Sequence, residues 1–309
     1  MISAQTTMWL GFAFLLGFMF ILDLGVISRN GHEIKFREAL VWTLVWVSLA
    51  FAFNIWIYFY LGPTKALEFF TGYVIEESLS VDNLFVFIMI FSYFKIGKAH
   101  QPKILKWGII GALLMRGIFI FAGIGLLERF HWMVYIFGGL LVFTGIKMAF
   151  GGEDQIAPEK NLLVRLVGRL FPVSADARCN HFFIREKGRV SVTPLFLTLL
   201  VVESSDVIFA MDSIPAILAV TRDPFIVYTS NIFAIMGLRS LYYLLANVMD
   251  MFVYLKAGIS FILAFVGVKM LIADHYPIPI NISLMVIVSV LAIAVITSLT
   301  IGKKRHPHF

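Results

Sequence analysis

Apolar runs of about 20 residues, the length that carries a helix across the hydrocarbon core of a bilayer, recur nine times along this chain. They lie near residues 8–28, 39–61, 67–93, 107–127, 132–150, 192–220, 224–247, 253–273 and 279–301. Inside hydrocarbon every backbone amide must be satisfied within the segment or by a closed barrel. Runs this long therefore read as helices, and the fold class as an all-α polytopic membrane protein with about nine transmembrane helices. Composition agrees: 60% of the 309 residues are hydrophobic and 14% charged, against about 45–50% and about 25% in soluble domains. The net charge of +6 reports orientation in such a chain and gives no nucleic-acid signature. The lone cysteine, Cys179, leaves no intrachain disulfide or thiolate cluster. No basic n-region or small-residue cleavage site surrounds the first run, so it is expected to stay as a membrane helix.

Orientation follows from lysine and arginine. With the N-terminus outside, eighteen of them fall on inner connections and three (Lys65, Arg129, Arg222) on outer ones. This bias predicts N-out, C-in. Most connections are short, and residues 151–190 form the one long polar segment, on the inner side. Within it "KNLLVRLVGRLF" predicts an amphipathic helix on the membrane face, and "FFIREKGRVSV" a small hairpin around Lys187-Gly188. The plain reading is a basic linker; a regulatory or partner-binding surface is the other.

Two parts of the chain resemble each other. "VIEESLSVDNLFVF" carries Glu76 and Asp82 six residues apart, and "VESSDVIFAMDSIPA" carries Asp206 and Asp212 at the same spacing. Downstream, Arg116 in "ALLMRGIF" matches Arg239 in "AIMGLRSLY", and Lys147 in "FTGIKMAF" matches Lys269 in "FVGVKMLI". The offsets are 130, 123 and 122 residues. One duplicated unit of three helices explains this. Its copies span about 66–150 and 191–274, in a single transmembrane domain covering 1–309. Three spans in series put the second copy into the membrane from the opposite side, which makes an inverted repeat with a site expected at the repeat interface near the midplane. The first two spans and the last are expected at the periphery.

A carboxylate at the centre of a membrane helix costs about 2.5–3.5 kcal/mol on insertion scales, and such groups mark ion or proton pathways by default. The candidate donors are Glu76, Asp82, Asn83, Asp206, Asp212 and Ser213. On a straight helix, Glu76 and Asp82 point about 120° apart. Pro215 removes an amide that Met211 would otherwise bond, so a helix break there is expected to free the Met211 carbonyl beside Asp212. An oxygen-only set suits magnesium, calcium or manganese; a Met211 thioether would tilt it toward manganese. Glu77 and Glu203 either support these ligands from behind or pair with Arg116 and Arg239, the cations that compensate the acids. Asp23 is expected to bond neighbouring backbone, and Asn54 and Asn231 to bond between helices. The competing account is an ion-pair network with a structural role only. No phosphate-binding G-x-x-x-x-G-K-[ST] loop is present, and the inner segment is too small for an ATPase. Secondary transport, driven by protons or by gradient and membrane potential, remains; no enzyme activity and no permanently bound cofactor are expected.

"EESLSVDN", "ESSDVIFAMDSIPAI", "TPLFLTLLVVE" and "VTRDPFIVYTSNIFAIMGLRSLYYLLA" resemble the TerC family of bacterial inner-membrane proteins, and within it the Alx branch, over nearly the whole chain. The resemblance implies export of manganese from the cytoplasm, with the acids of both repeats as the metal path. It also implies a competing role, in metal loading of secreted enzymes or as a partner of the secretion machinery. At Glu77 the branch does not require an acid, so this residue is carried over only as a supporting group.

Overall fold

The structure, a computed structural model, describes residues 4–26, 36–150, 162–174, 181–186, 189–246 and 254–301. Its long helices are α1 (Ala4–Val26), α2 (Phe36–Leu61), α3 (Pro63–Tyr93), α4 (Gln101–Arg129), α5 (Met133–Phe150), α7 (Pro194–Leu218), α8 (Pro224–Leu245), α9 (Leu255–Ile272) and α10 (Ile280–Ile301). A short α6 (Leu162–Leu170) and a hairpin of β1 (Phe183–Glu186) with β2 (Arg189–Val192) lie between α5 and α7. In the hairpin Phe183 faces Val192 and Glu186 faces Arg189, antiparallel. The helix and hairpin expected within 151–190 are therefore present; Lys187 and Gly188 themselves lie outside the described residues.

Seven helices, α1, α2, α4, α5, α7, α9 and α10, are long and apolar enough to cross a membrane. The other two long ones coincide with the third and seventh apolar runs but are more polar. α3 carries Lys65, Glu68, Glu76, Glu77 and Asp82. α8 holds Thr229, Ser230, Asn231, Arg239 and Ser240, all buried. A helix can keep such groups at membrane depth where protein surrounds it, and α8 packs against α1, α2, α3 and α4.

Helix starts follow local chemistry. Gly62 takes φ +94°, a left-handed value open to glycine, and turns the chain from α2 into α3 in a single residue. Proline stands in the first turn of α3, α4, α7 and α8, where its missing N–H leaves no bond unmade. Asp223 caps α8 by accepting from the Phe225 and Ile226 amides at 3.0 and 3.4 Å.

The closest helix pair is α5 with α9. A Cβ on Gly138 would stand 3.0 Å from the Gly267 carbonyl, and one on Gly145 would stand 2.7 Å from the Ser260 carbonyl. Small residues let the two backbones touch, as in membrane helix pairs generally. Residue numbers rise along α5 as they fall along α9, so the pair is antiparallel. At one end, Tyr135 donates to Asp274 at 2.8 Å and His131 stands 3.3 Å from the same carboxylate; these two contacts hold the Asp274 carboxyl below the ordinary carboxylate range.

α2 packs one face along α8 and α3, with Trp46 almost fully buried and its Cβ 3.7 Å from a Cβ placed on Gly237, while Leu44, Phe51, Ile55 and Phe59 on its outer face are exposed. One expectation is corrected: Pro215 does not break α7, which runs on to Leu218. The proline falls in the last turn, where its own carbonyl still accepts from the Ala219 amide at 3.0 Å. Near a terminus, few bonds lie downstream to be disrupted.

Candidate functional site

Arg116 of α4 organises the middle of the bundle. It forms an ion pair with Glu76 of α3, with both side chains almost entirely buried. Its Nη1 also donates to Asn231 Oδ1 of α8 at 2.5 Å, so Asn231 bonds between helices as its sequence context suggests. Asp206 of α7, 5% exposed, lies within electrostatic reach of the same guanidinium. Four helices thus contribute to one cluster of two carboxylates, one arginine and one amide. Acids from both sequence repeats meet there.

Asp212, half-buried, stands at a second station. Thr144 Oγ1 of α5 donates to its Oδ1 at 2.9 Å, and Lys147 acts on it electrostatically. Next to it Ser213 is buried, and its Oγ has no hydrogen-bond partner among the described residues. Met211 is 50% exposed and so does not join its neighbour at the core. On α3, Asn83 is buried at 4% and Ser80 at 1%, and Ser80 Oγ also lacks a partner among the described residues. The backbone of Asp82 belongs to α3, but its side chain lies outside the described residues.

The supporting acids sit beside glycines. The Glu203 carboxylate overlaps the position a Cβ on Gly111 of α4 would occupy, so glycine is needed there for the acid to lie against the helix. Glu77 Oε1 lies 3.9 Å from a Cβ placed on Gly237 of α8, and its enclosed Oε2 has no hydrogen-bond partner among the described residues. Neither acid forms an ion pair with Arg116 or Arg239 among the described residues. Arg239 binds Asp23 of α1 instead, through Oδ1 at 2.9 Å and through its main-chain carbonyl. This corrects two expectations: Asp23 is an ion-pair partner, and Arg239 compensates an acid outside the repeats. No group of three or more His, Cys, Asp or Glu side chains comes together as a metal cluster among the described residues.

Toward the Lys65 end, a cavity of about 670 Å³ is lined by Lys65, Glu68, Thr221, Asp223 and Lys269, among others. Lys65 bridges Glu68 at 2.9 Å and Asp223 at 3.0 Å, and Thr221 donates to Glu68 at 2.6 Å. The network ties the start of α3 to the α7–α8 connection. Sequence reading missed Thr144, Gly111 and Glu68. Thr144 lies inside "FTGIKM", three residues before Lys147, and that spacing places both on one helix face.

The model of the integral membrane protein TerC family matches residues 61–306. The uncharacterized membrane protein STKORF319 of Myxococcus xanthus is 49% identical over 97% of this chain and 93% of its own length. A putative membrane-bound redox modulator Alx is 45% identical in Salmonella typhi, covering 96% of this chain and 95% of that protein. Its namesake in Escherichia coli K12 is 47% identical, covering 94% and 93%. No solved structure matches this chain.

Proposed function

This chain belongs to the TerC family of integral membrane proteins, and from that premise we propose that it is a secondary transporter exporting a divalent cation, Mn2+ above others, across the bacterial inner membrane. The observation that carries the reading is a charge imbalance. Among the described residues, Glu76 and Asp206 face a single cation, Arg116. A buried carboxylate without full compensation is neutralised by taking up a proton or a metal cation. Elsewhere on α3 and α7, oxygens of Ser80, Ser213 and Glu77 are enclosed and unbonded among the described residues. Buried polar atoms are normally hydrogen-bonded, so these oxygens are available to a ligand. Asp82 and Asn83 would serve the cation from one side, and Asp212 and Ser213 from the other. The Met211 side chain, half exposed, plays no part; the oxygen donors suit a hard divalent cation, and the choice of manganese among these rests on the family resemblance.

The architecture we propose is nine spans, N-terminus periplasmic and C-terminus cytoplasmic, with α3–α5 and α7–α9 as inverted repeats. Packing supports it. α3 packs on α8 as α7 packs on α4, and α3 packs on α9 as α7 packs on α5. At the 122-residue offset, Gly138 corresponds to Ser260 and Gly145 to Gly267. The contact of Gly138 with Gly267 therefore corresponds to that of Ser260 with Gly145, and both exist. Such exchanged contacts are the mark of a two-fold relation, and antiparallel α5 and α9 fit an axis in the membrane plane. The name of the Alx relatives suggests redox modulation; with Cys179 as the only cysteine, this chain lacks a thiol pair of its own for it. The test is Mn2+ flux into proteoliposomes under an imposed gradient. The reading expects flux above that of protein-free liposomes, with Zn2+ competing weakly; no protein-dependent flux would refute it.

A further inference from the structure

The two arginines hold equivalent places in the sequence repeats but not in the structure. Arg116 pairs with Glu76 of its own repeat and shares Asp206 and Asn231. By the same pattern Arg239 would pair with Asp206, the counterpart of Glu76. It turns instead to α1, outside both repeats, and binds Asp23. Asp23 is 2% exposed and Arg239 0%. Only Nη2 of Arg239 is engaged: its Nε and Nη1 have no hydrogen-bond partner among the described residues. Among the described residues the guanidinium is held by Asp23 alone.

From this asymmetry we infer that Asp23 is a positioning residue that neutralises Arg239 and keeps it off the central acids, so that Glu76 and Asp206 share one arginine and carry a net negative charge toward a cation. The inference rests on the cation-transport reading and adds to it the group that sets the site's charge. Arg239 stands eight residues beyond Asn231 on α8, about 12 Å along the axis. At that separation, with an effective dielectric constant of about 20, an uncompensated arginine changes the affinity of even a monovalent cation by about tenfold, and of a divalent one by more. A full symmetry, with one arginine for each acid, would leave the core neutral. α1 breaks it.

The test is Mn2+ binding to the full-length, detergent-purified protein, read from the electron paramagnetic resonance signal of free Mn2+. Asp23→Asn is expected to weaken binding at least about tenfold, and Asp23→Glu to retain it. The decisive variant is Asp23→Asn with Arg239→Gln, which removes both charges and is expected to restore wild-type affinity. A merely structural Asp23 would change the melting temperature in these variants and leave the Mn2+ affinity of the folded protein unchanged. If Asp23→Asn alone does not fold, the double variants Asp23→Asn/Arg239→Lys and Asp23→Asn/Arg239→Gln decide: the first keeps an unpaired cation and is expected to bind weakly, the second normally. Equal affinity in that pair, or an unchanged affinity in Asp23→Asn, overturns the inference. A wild-type protein that binds no Mn2+ overturns the transport reading itself, and this inference with it.

Discussion

Gly267 of α9 and Gly138 of α5 touch backbone to backbone: a Cβ on Gly267 would stand 2.7 Å from the Gly138 carbonyl oxygen and 2.8 Å from the Val142 amide. Nothing flexible can move aside there. Gly267→Val is therefore expected to lower stability by about 1–3 kcal/mol through overpacking. The control is Gly11→Val on α1, where nothing lies within 4 Å of the added Cβ. Thermal unfolding of the two purified variants checks it; similar losses in both would mean that α5 and α9 are not packed as described.

The buried ion pair of Arg116 with Glu76 makes a second prediction. Removing the cation by Arg116→Gln strands a carboxylate and is expected to destabilise by about 3–5 kcal/mol. Adding Glu76→Gln to it should recover most of that loss, because the stranded charge is gone. Expression level and melting temperature of single and double variants measure it. A double variant no more stable than the single one would show that packing, not charge, sets the loss.

The helices and several buried acids were legible in the sequence, since apolar length marks a span and an acid in oily surroundings stands out. Equivalent positions of the two repeats also share burial: Asn83 and Ser213 are both enclosed, as are Leu84 and Ile214. What stayed hidden were the partners. Asp23 lies outside the repeats, so no internal comparison could pair it with Arg239. Pro215 suggested a break, but its effect depended on how close the helix end lay, and that was set by the α7–α8 connection. Met211 adjoins Asp212 in sequence, yet successive residues on a helix point about 100° apart, and the side chain emerges half exposed. Close approaches such as Glu203 on Gly111 depend on which helices neighbour each other, which apolar periodicity does not encode.

Thr144 supplies the hydrogen bond to Asp212. Thr144→Val keeps the shape and removes the donor, and a bond to a charged group is worth about 1.5–3 kcal/mol. In reconstituted vesicles the variant is expected to slow Mn2+ flux by about tenfold or more without loss of folded protein. Wild-type flux in Thr144→Val would place Asp212 off the path.

Orientation has a built-in reporter. Cys179, the chain's one cysteine, falls in the 151–190 segment assigned to the cytoplasm. In intact cells it is expected to resist a membrane-impermeant thiol reagent and to react after permeabilisation. Labelling before permeabilisation would reverse the proposed topology.

Transport through the paired acids is tested most directly by Mn2+ flux in proteoliposomes containing the wild type, Asp82→Asn or Asp212→Asn at equal amounts of folded protein. Each substitution removes one carboxylate from one repeat. The account predicts protein-dependent flux in the wild type and its loss in each variant, with both still inserted and monodisperse. Wild-type rates in both variants would contradict it and would leave the acids as a structural network.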